Sequence, residues 1–191
     1  MKKTINGEEF TVFEAGKIDG DFIHEGVNVF VDGDLEVTGH FKCRAFKITG
    51  SVIVGKSYVV EKWEKVEGYQ EVVEYQEVGW SQEVGGYQEV GGSQEVGWSQ
   101  EVGGYQEVGR SQKVGGSQEV GEFQEVGEDC TIGDGSVIML SSTINGELSV
   151  GSRMFVGVCN WRDITDKEKT ITCKKLVHGE IAYGILVETD K

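Results

Sequence analysis

The sequence predicts an all-β fold: a single β-solenoid, or β-helix, with about 18 residues and three short strands per turn. Three observations carry this. A hexapeptide of the form Tyr/Ser-Gln-Glu-Val-Gly-x recurs about ten times between Tyr69 and Gly127. A Val or Ile stands at every sixth residue from Ile48 to Val156, nineteen positions in all, well beyond the obvious copies. A longer period of 18 spaces Tyr69, Tyr87, Tyr105 and Phe123, and separates Trp80 from Trp98. A fixed internal period is the mark of a repeat architecture. A disordered insert would have no reason to keep register with the segments on both sides of it.

The N-terminal segment, residues 1–27, alternates weakly (Phe10-Thr11-Val12-Phe13, then Phe22-Ile23) and is expected to form a cap or a first coil. Its start, Met1-Lys2-Lys3, has two basic residues, but Glu8 and Glu9 follow in place of an apolar run, so no secretion signal is read there.

The solenoid itself is expected over residues 28–158. Val31 and Val37 keep the six-residue step offset by one residue, which predicts a bulge near Lys42. Within a hexapeptide, side chains alternate, so Gln and Val share one face while Tyr or Ser and Glu share the other. Burying the Glu face would place about ten carboxylates in the core, at prohibitive cost. Gln and Val therefore point inward. The flanking coils put Phe46, Val52 and Tyr58, and later Cys130, Ser136, Ser142, Leu148 and Met154, in the Gln slot. Gly is expected at the corners, where positive φ is easiest. Six turns over residues 48–156 would stand about 29 Å tall.

Stacking then places like on like. The outward aromatics form a ladder of Tyr69, Tyr87, Tyr105 and Phe123, with a Trp80–Trp98 step at one corner. The inward glutamines, all ten of the chain, form amide ladders. Glu71, Glu89, Glu107 and Glu125 make one acidic column, and Glu83, Glu101 and Glu119 another, interrupted by Lys65, Arg110 and Lys113. The candidate partner-binding residues are these aromatics together with Glu83, Glu89, Glu101, Glu107 and Glu119.

After Val158 the character changes. Residues 159–191 read as a polar loop, Asn160–Lys169, followed by a β-hairpin cap. Its strands would be Thr170–Val177 and Ile181–Val187, turning at His178-Gly179-Glu180.

The 191 residues fit one domain. With 18 basic and 33 acidic side chains the net charge is −15. A chain this acidic is a poor direct ligand for nucleic-acid phosphates. It lacks the long apolar run of a membrane span. Cys43, Cys130, Cys159 and Cys173 are widely separated and lack zinc-ligand spacing. They are expected to be reduced thiols of a cytoplasmic protein. No catalytic residue, metal ligand or cofactor is assigned: phosphate loops and hydrolase signatures are missing.

Two resemblances bear on function. Ile132-Gly133-Asp134-Gly135-Ser136-Val137-Ile138 resembles the hexapeptide repeat of left-handed β-helix acyltransferases. That resemblance implies a trimer, an acyl-CoA donor and a His between coils as general base. His24, His40 and His178 all lie outside the core repeats. The stretch Val27–Gly39 (Val-Asn-Val-Phe-Val-Asp-Gly-Asp-Leu-Glu-Val-Thr-Gly), continuing to Ile48–Gly55, looks like the bactofilin pattern. This implies a bacterial β-helix that polymerises end to end as a scaffold. The sequence thus favours a non-enzymatic structural scaffold or self-assembling solenoid. It would contact itself, as homo-oligomer or filament, or another protein through its aromatic ladder or its ends. The alternatives are an acidic module or DNA mimic that offers Glu ladders to a basic protein, and a hexapeptide-type acyltransferase.

Overall fold

A computed structural model describes residues 1–138, 141–156 and 170–189. The described residues form strands and tight corners, and no helix is long and apolar enough to cross a membrane.

Each repeat strand contributes three or four residues, and its backbone pairs in parallel with the strand 18 residues on. Gln70–Val72 pairs with Gln88–Val90, and Gln76–Val78 with Gln94–Val96. Ser81–Val84 pairs with Ser99–Val102. Three strands per turn is therefore the observed geometry, with three flat faces. The first face carries Gln70, Gln88, Gln106 and Gln124 inward. The second carries Gln76, Gln94 and Gln112, and the third Gln82, Gln100 and Gln118. Along the third face nine rungs follow one another: Thr11, Val29, Phe46, Glu64, Gln82, Gln100, Gln118, Ser136 and Met154. The stack is thus about nine turns tall.

The six-residue aliphatic series fills the core. Seventeen of its nineteen members are buried; the side chains of Ile138 and Val156 lie outside those described. The inward Gln assignment also holds, since all ten are buried. One inward position differs from the expected pattern. Between Tyr58 and Gln70 the slot belongs to Glu64, a buried carboxyl.

Upstream, the coil length varies: Gly16 pairs with Leu35 and Phe22 with Phe41, offsets of 19, and the next coil is shorter. Leu35 pairs with Val52 and Phe41 with Tyr58, offsets of 17, while Phe46 with Glu64 is already 18. The phase slip therefore falls between Cys43 and Phe46, just beyond Lys42. At the N-terminus, Lys2–Ile5 and Glu8–Phe13 form an antiparallel hairpin that joins the stack through Thr11 opposite Val29. Its two turn residues, Asn6 and Gly7, both have positive φ, 51° and 82°. That is the Asn-Gly pair of a type I′ hairpin. Phe10, Phe30 and Ala45 form a second buried cluster here, packed with Trp63.

Two expectations need correction. Corner glycines within the repeats do not have positive φ; the positive-φ glycines are Gly7, Gly16, Gly20, Gly26, Gly33, Gly179 and Gly184. In the repeats glycine serves close approach between coils. A Cβ on Gly85 would come 2.5 Å from the Glu67 carbonyl oxygen, and one on Gly86 2.9 Å from that of Gly68. At the C-terminus, both expected strand segments cap the stack, but they run parallel. Thr170–Tyr183 lies along Ser141–Val156, and Ile185–Glu188 lies along Thr170–Cys173. The chain turns corners at Gly179 and Gly184 and keeps winding, instead of folding back at His178-Gly179-Glu180. The polar loop expected over Asn160–Lys169, and Cys159, lie outside the described residues. Cys43, Cys130 and Cys173 are free and buried.

Candidate functional site

The candidate residues fall on two faces and one corner. On the first face the position before each Gln carries Tyr69, Tyr87 and Tyr105. Their rings stack at 4.9 Å and 5.1 Å, each pair within 3° of parallel. This is the coil spacing itself, so the backbone register forces the stack. Burial raises the Tyr87 phenol above its usual range, and the neighbouring Tyr69 and Tyr105 add to the rise. Phe123 continues the column in sequence but stands 45% exposed, outside the ring stack. Two residues along each strand, Glu71, Glu89, Glu107 and Glu125 form the paired column. Burial raises the Glu107 carboxyl first, and repulsion from Glu89 and Glu125 adds to it.

Stacked in this way, Tyr87 is covered by a ring on both faces, while Tyr69 and Tyr105 are each stacked on one face only, and Tyr105 is 37% exposed. The most exposed aromatic rings lie at a corner. Trp80 and Trp98 sit on successive coils at the corner between the second and third faces, tied by a 2.7 Å backbone hydrogen bond from the Trp98 amide to the Trp80 carbonyl. They are 68% and 65% exposed, and their rings do not pair with each other. The expected Trp step is therefore a register of backbones with two rings left in solvent.

The third face holds a trough of about 790 Å³. Ser81, Ser99 and Ser117 line it with the column Glu83, Glu101 and Glu119. Trp63 and Asn6 close one end, and Ser152 and Arg153 the other. Small Ser side chains make the depression, because the equivalent position on the first face carries Tyr. Lys65 pairs with Glu83 at the foot of the column. Among the described residues Glu101 and Glu119 have no ion-pair partner. On the second face Lys113 pairs with Glu95 at 2.7 Å.

The histidines do not converge. His24 packs against the Phe13 and Phe22 rings and stands opposite Cys43, while the His40 amide donates to Asp21. Sequence reasoning missed two things. One is the buried Glu64–Tyr58 pair, although the six-residue step assigns position 64 to the inward slot. The other is the pair of trough ends, which depend on how the N-terminal hairpin and the last coils lie across the third face.

Fold and surface together define a class: a three-faced parallel β-solenoid with an amide-filled core and an acidic exterior. Comparison with protein-family models, curated proteins and solved structures gave no match.

Proposed function

We propose that this chain is a non-enzymatic structural solenoid that makes protein–protein contacts through its outer corner and faces, with a second copy of itself as the first partner to test. The observation that carries this reading is the exposed Trp80–Trp98 register. Two large apolar rings repeat one coil apart on a corner whose adjoining positions, Gly79, Gly97, Gly115 and Gly116, have no side chain to cover them. Exposed aromatics of this kind are typical anchors of interfaces. The bactofilin-like stretch near Val27–Gly55 points the same way, towards a scaffold. Light scattering over a concentration series, with negative-stain images of the same samples, tests it. Concentration-dependent assemblies that disappear in Trp80→Ser/Trp98→Ser support the reading. A monomer at every concentration, unchanged by the double substitution, overturns self-assembly.

A second reading has its own observation. Glu101 and Glu119 have no ion-pair partner among the described residues and lie in a trough shaped by serines, which suits a basic protein segment better than a second acidic copy. Capture of such a partner, weakening steeply with salt, would favour it. Coenzyme A serves as the control ligand in the same titration, because the acyltransferase resemblance calls for its binding.

A further inference from the structure

The three glutamine ladders have a direction. Each Nε2 donates toward the N-terminus: Gln88 to Gln70 at 2.7 Å, Gln94 to Gln76 at 2.7 Å, Gln100 to Gln82 at 2.7 Å. The second N–H crosses between faces, as from Gln88 to Gln76 at 3.0 Å. At the foot, all three ladders end on one side chain. Glu64 is 2% exposed. Its Oε1 accepts from Gln70 at 3.2 Å, from Gln76 at 3.3 Å and from Gln82. Its Oε2 accepts from the Tyr58 hydroxyl and from Gln70 at 3.3 Å. Below it in register lies Phe46, and Tyr58 is itself stacked on Phe41 at 4.8 Å. The carboxyl thus sits between amides above and aromatic rings below, with no ion-pair partner among the described residues.

We propose that Glu64 is a proton-binding site built into the core, and that uptake of one proton there strengthens the fold. The chemistry follows from the surroundings. A carboxylate sealed away from water loses its hydration, which favours the neutral form. Once protonated, Oε2 donates to the Tyr58 oxygen while Oε1 goes on accepting amides, so the ladder keeps its foot in either state. The titratable groups that face it are Tyr58 and Cys43. Both are raised well above their usual range, by burial first and the Glu64 charge second, with Glu61 a further cause at Cys43. Lys65, next in the chain, points outward to Glu83. Burial raises Glu64 from 4.5 to about 7, against the opposing hydrogen bonds of Tyr58, Gln82 and Gln70. Between those two values the folded chain holds a proton that the unfolded chain has released. Stability therefore falls as pH rises through this window, and is flat on either side of it.

The experiment is urea unfolding of the full chain from pH 5.5 to 8.5, compared with Glu64→Gln. The amide mimics the protonated carboxyl: its NH2 donates to Tyr58 and its oxygen accepts the ladder. Relative to Glu64→Gln, the wild-type folding constant is expected to drop about 30-fold across this range, from the 4.5 and 7 limits. Taking the difference between the two chains cancels the background of surface carboxylates. Parallel pH curves for the two overturn the proposal. Tyr58→Phe supplies a second readout, since it removes a donor that favours the charged form. Its pH transition is expected to move upward, and a transition left in place counts against the site even if Glu64→Gln does not fold.

Discussion

The Ser142 hydroxyl donates to the Gln124 side-chain oxygen at 2.9 Å, closing the end of the ladder opposite Glu64. The other two faces end similarly, with Ser136 donating to Gln118 at 3.3 Å and the Cys130 thiol to Gln112 at 3.4 Å. A one-way amide stack leaves donors at one end and acceptors at the other. Here a carboxyl takes the donors, and two hydroxyls and a thiol satisfy the acceptors. Gln118 and Gln112 also receive an amide from Gln124, at 3.0 Å and 2.7 Å. Among the described residues Gln124 accepts from Ser142 alone. Ser142→Ala should therefore cost about 1–3 kcal/mol, the usual penalty of an orphaned buried acceptor. Ser136→Ala and Cys130→Ala should cost less. Denaturant melts of the three variants give the ranking, and equal losses would contradict it.

The same polarity decides what Gln88 can become. Gln88 accepts from Gln94, Gln100 and Gln106 and donates to Gln70 and Gln76. Glutamate there keeps the acceptor role but sets carboxylate oxygens against the two carbonyl oxygens below, with no hydroxyl like that of Tyr58 to meet them. An uncompensated buried charge costs about 3–5 kcal/mol. Gln88→Leu also removes an acceptor, yet Gln94, Gln100 and Gln106 each retain another: Gln76, Gln82 and Gln94 respectively. Leucine should thus be the milder change at pH 8, by urea unfolding. A less stable Leu variant would show that mesh redundancy does not matter.

Much of this was legible in the sequence. The six-residue step of Val and Ile gave the strands, and the 18-residue recurrence of Tyr and Trp gave their number per turn, because stacking turns period into contact. Glu64 escaped because glutamate was assigned outward as a residue type, on the cost of burying ten. One carboxyl with four donors is a different problem from ten without. The strand direction in the C-terminal cap was not readable either. A Gly flanked by two β-rich segments signals a bend, and both a hairpin turn and a coil corner use one. The Asn6-Gly7 hairpin was missed, since residues 1–27 were expected only as a cap or first coil, although that dipeptide suits positive φ at two successive positions. The trough on the third face emerges only when Ser81, Ser99 and Ser117 are stacked beside the closing ends.

Glycine was the right residue at the corners for a different reason than conformational freedom, and this has a consequence. Gly103 has no positive φ, so alanine is permitted by its backbone. Ordinarily such a change stabilises a protein by restricting the unfolded chain. Here the new methyl would meet the Gly85 carbonyl oxygen of the coil below. Gly103→Ala should therefore lose about 1–3 kcal/mol, the cost of overpacking. The site is local to the stacked repeats, because Glu61, Glu67 and Val73 take the equivalent corner positions one coil earlier. A thermal melt at or above the wild-type temperature would refute the close-approach explanation.

The interior does not distinguish one hexapeptide from the next, and this predicts an unusual tolerance. Every inward pair from Gln70 to Val126 is Gln and Val, on all three faces. Deleting residues 79–84 would bring Gln88 above Glu64 in place of Gln82, and Glu89 above Lys65 in place of Glu83. Each new neighbour has the chemistry of the old one. The C-terminal coils would be rotated by one face relative to the N-terminal ones, at the expense of the Tyr69–Tyr87 stack, worth about 0.5–1.5 kcal/mol. Deleting five residues, 79–83, shifts the alternation itself. Glutamates then turn inward and valines outward in every later strand, the failure expected of a one-residue slip. The six-residue deletion should fold with a single cooperative urea transition close to wild type, while the five-residue deletion should not fold. Similar behaviour of the two would mean that the amide mesh does not set the register, and that the corners and outer ladders do.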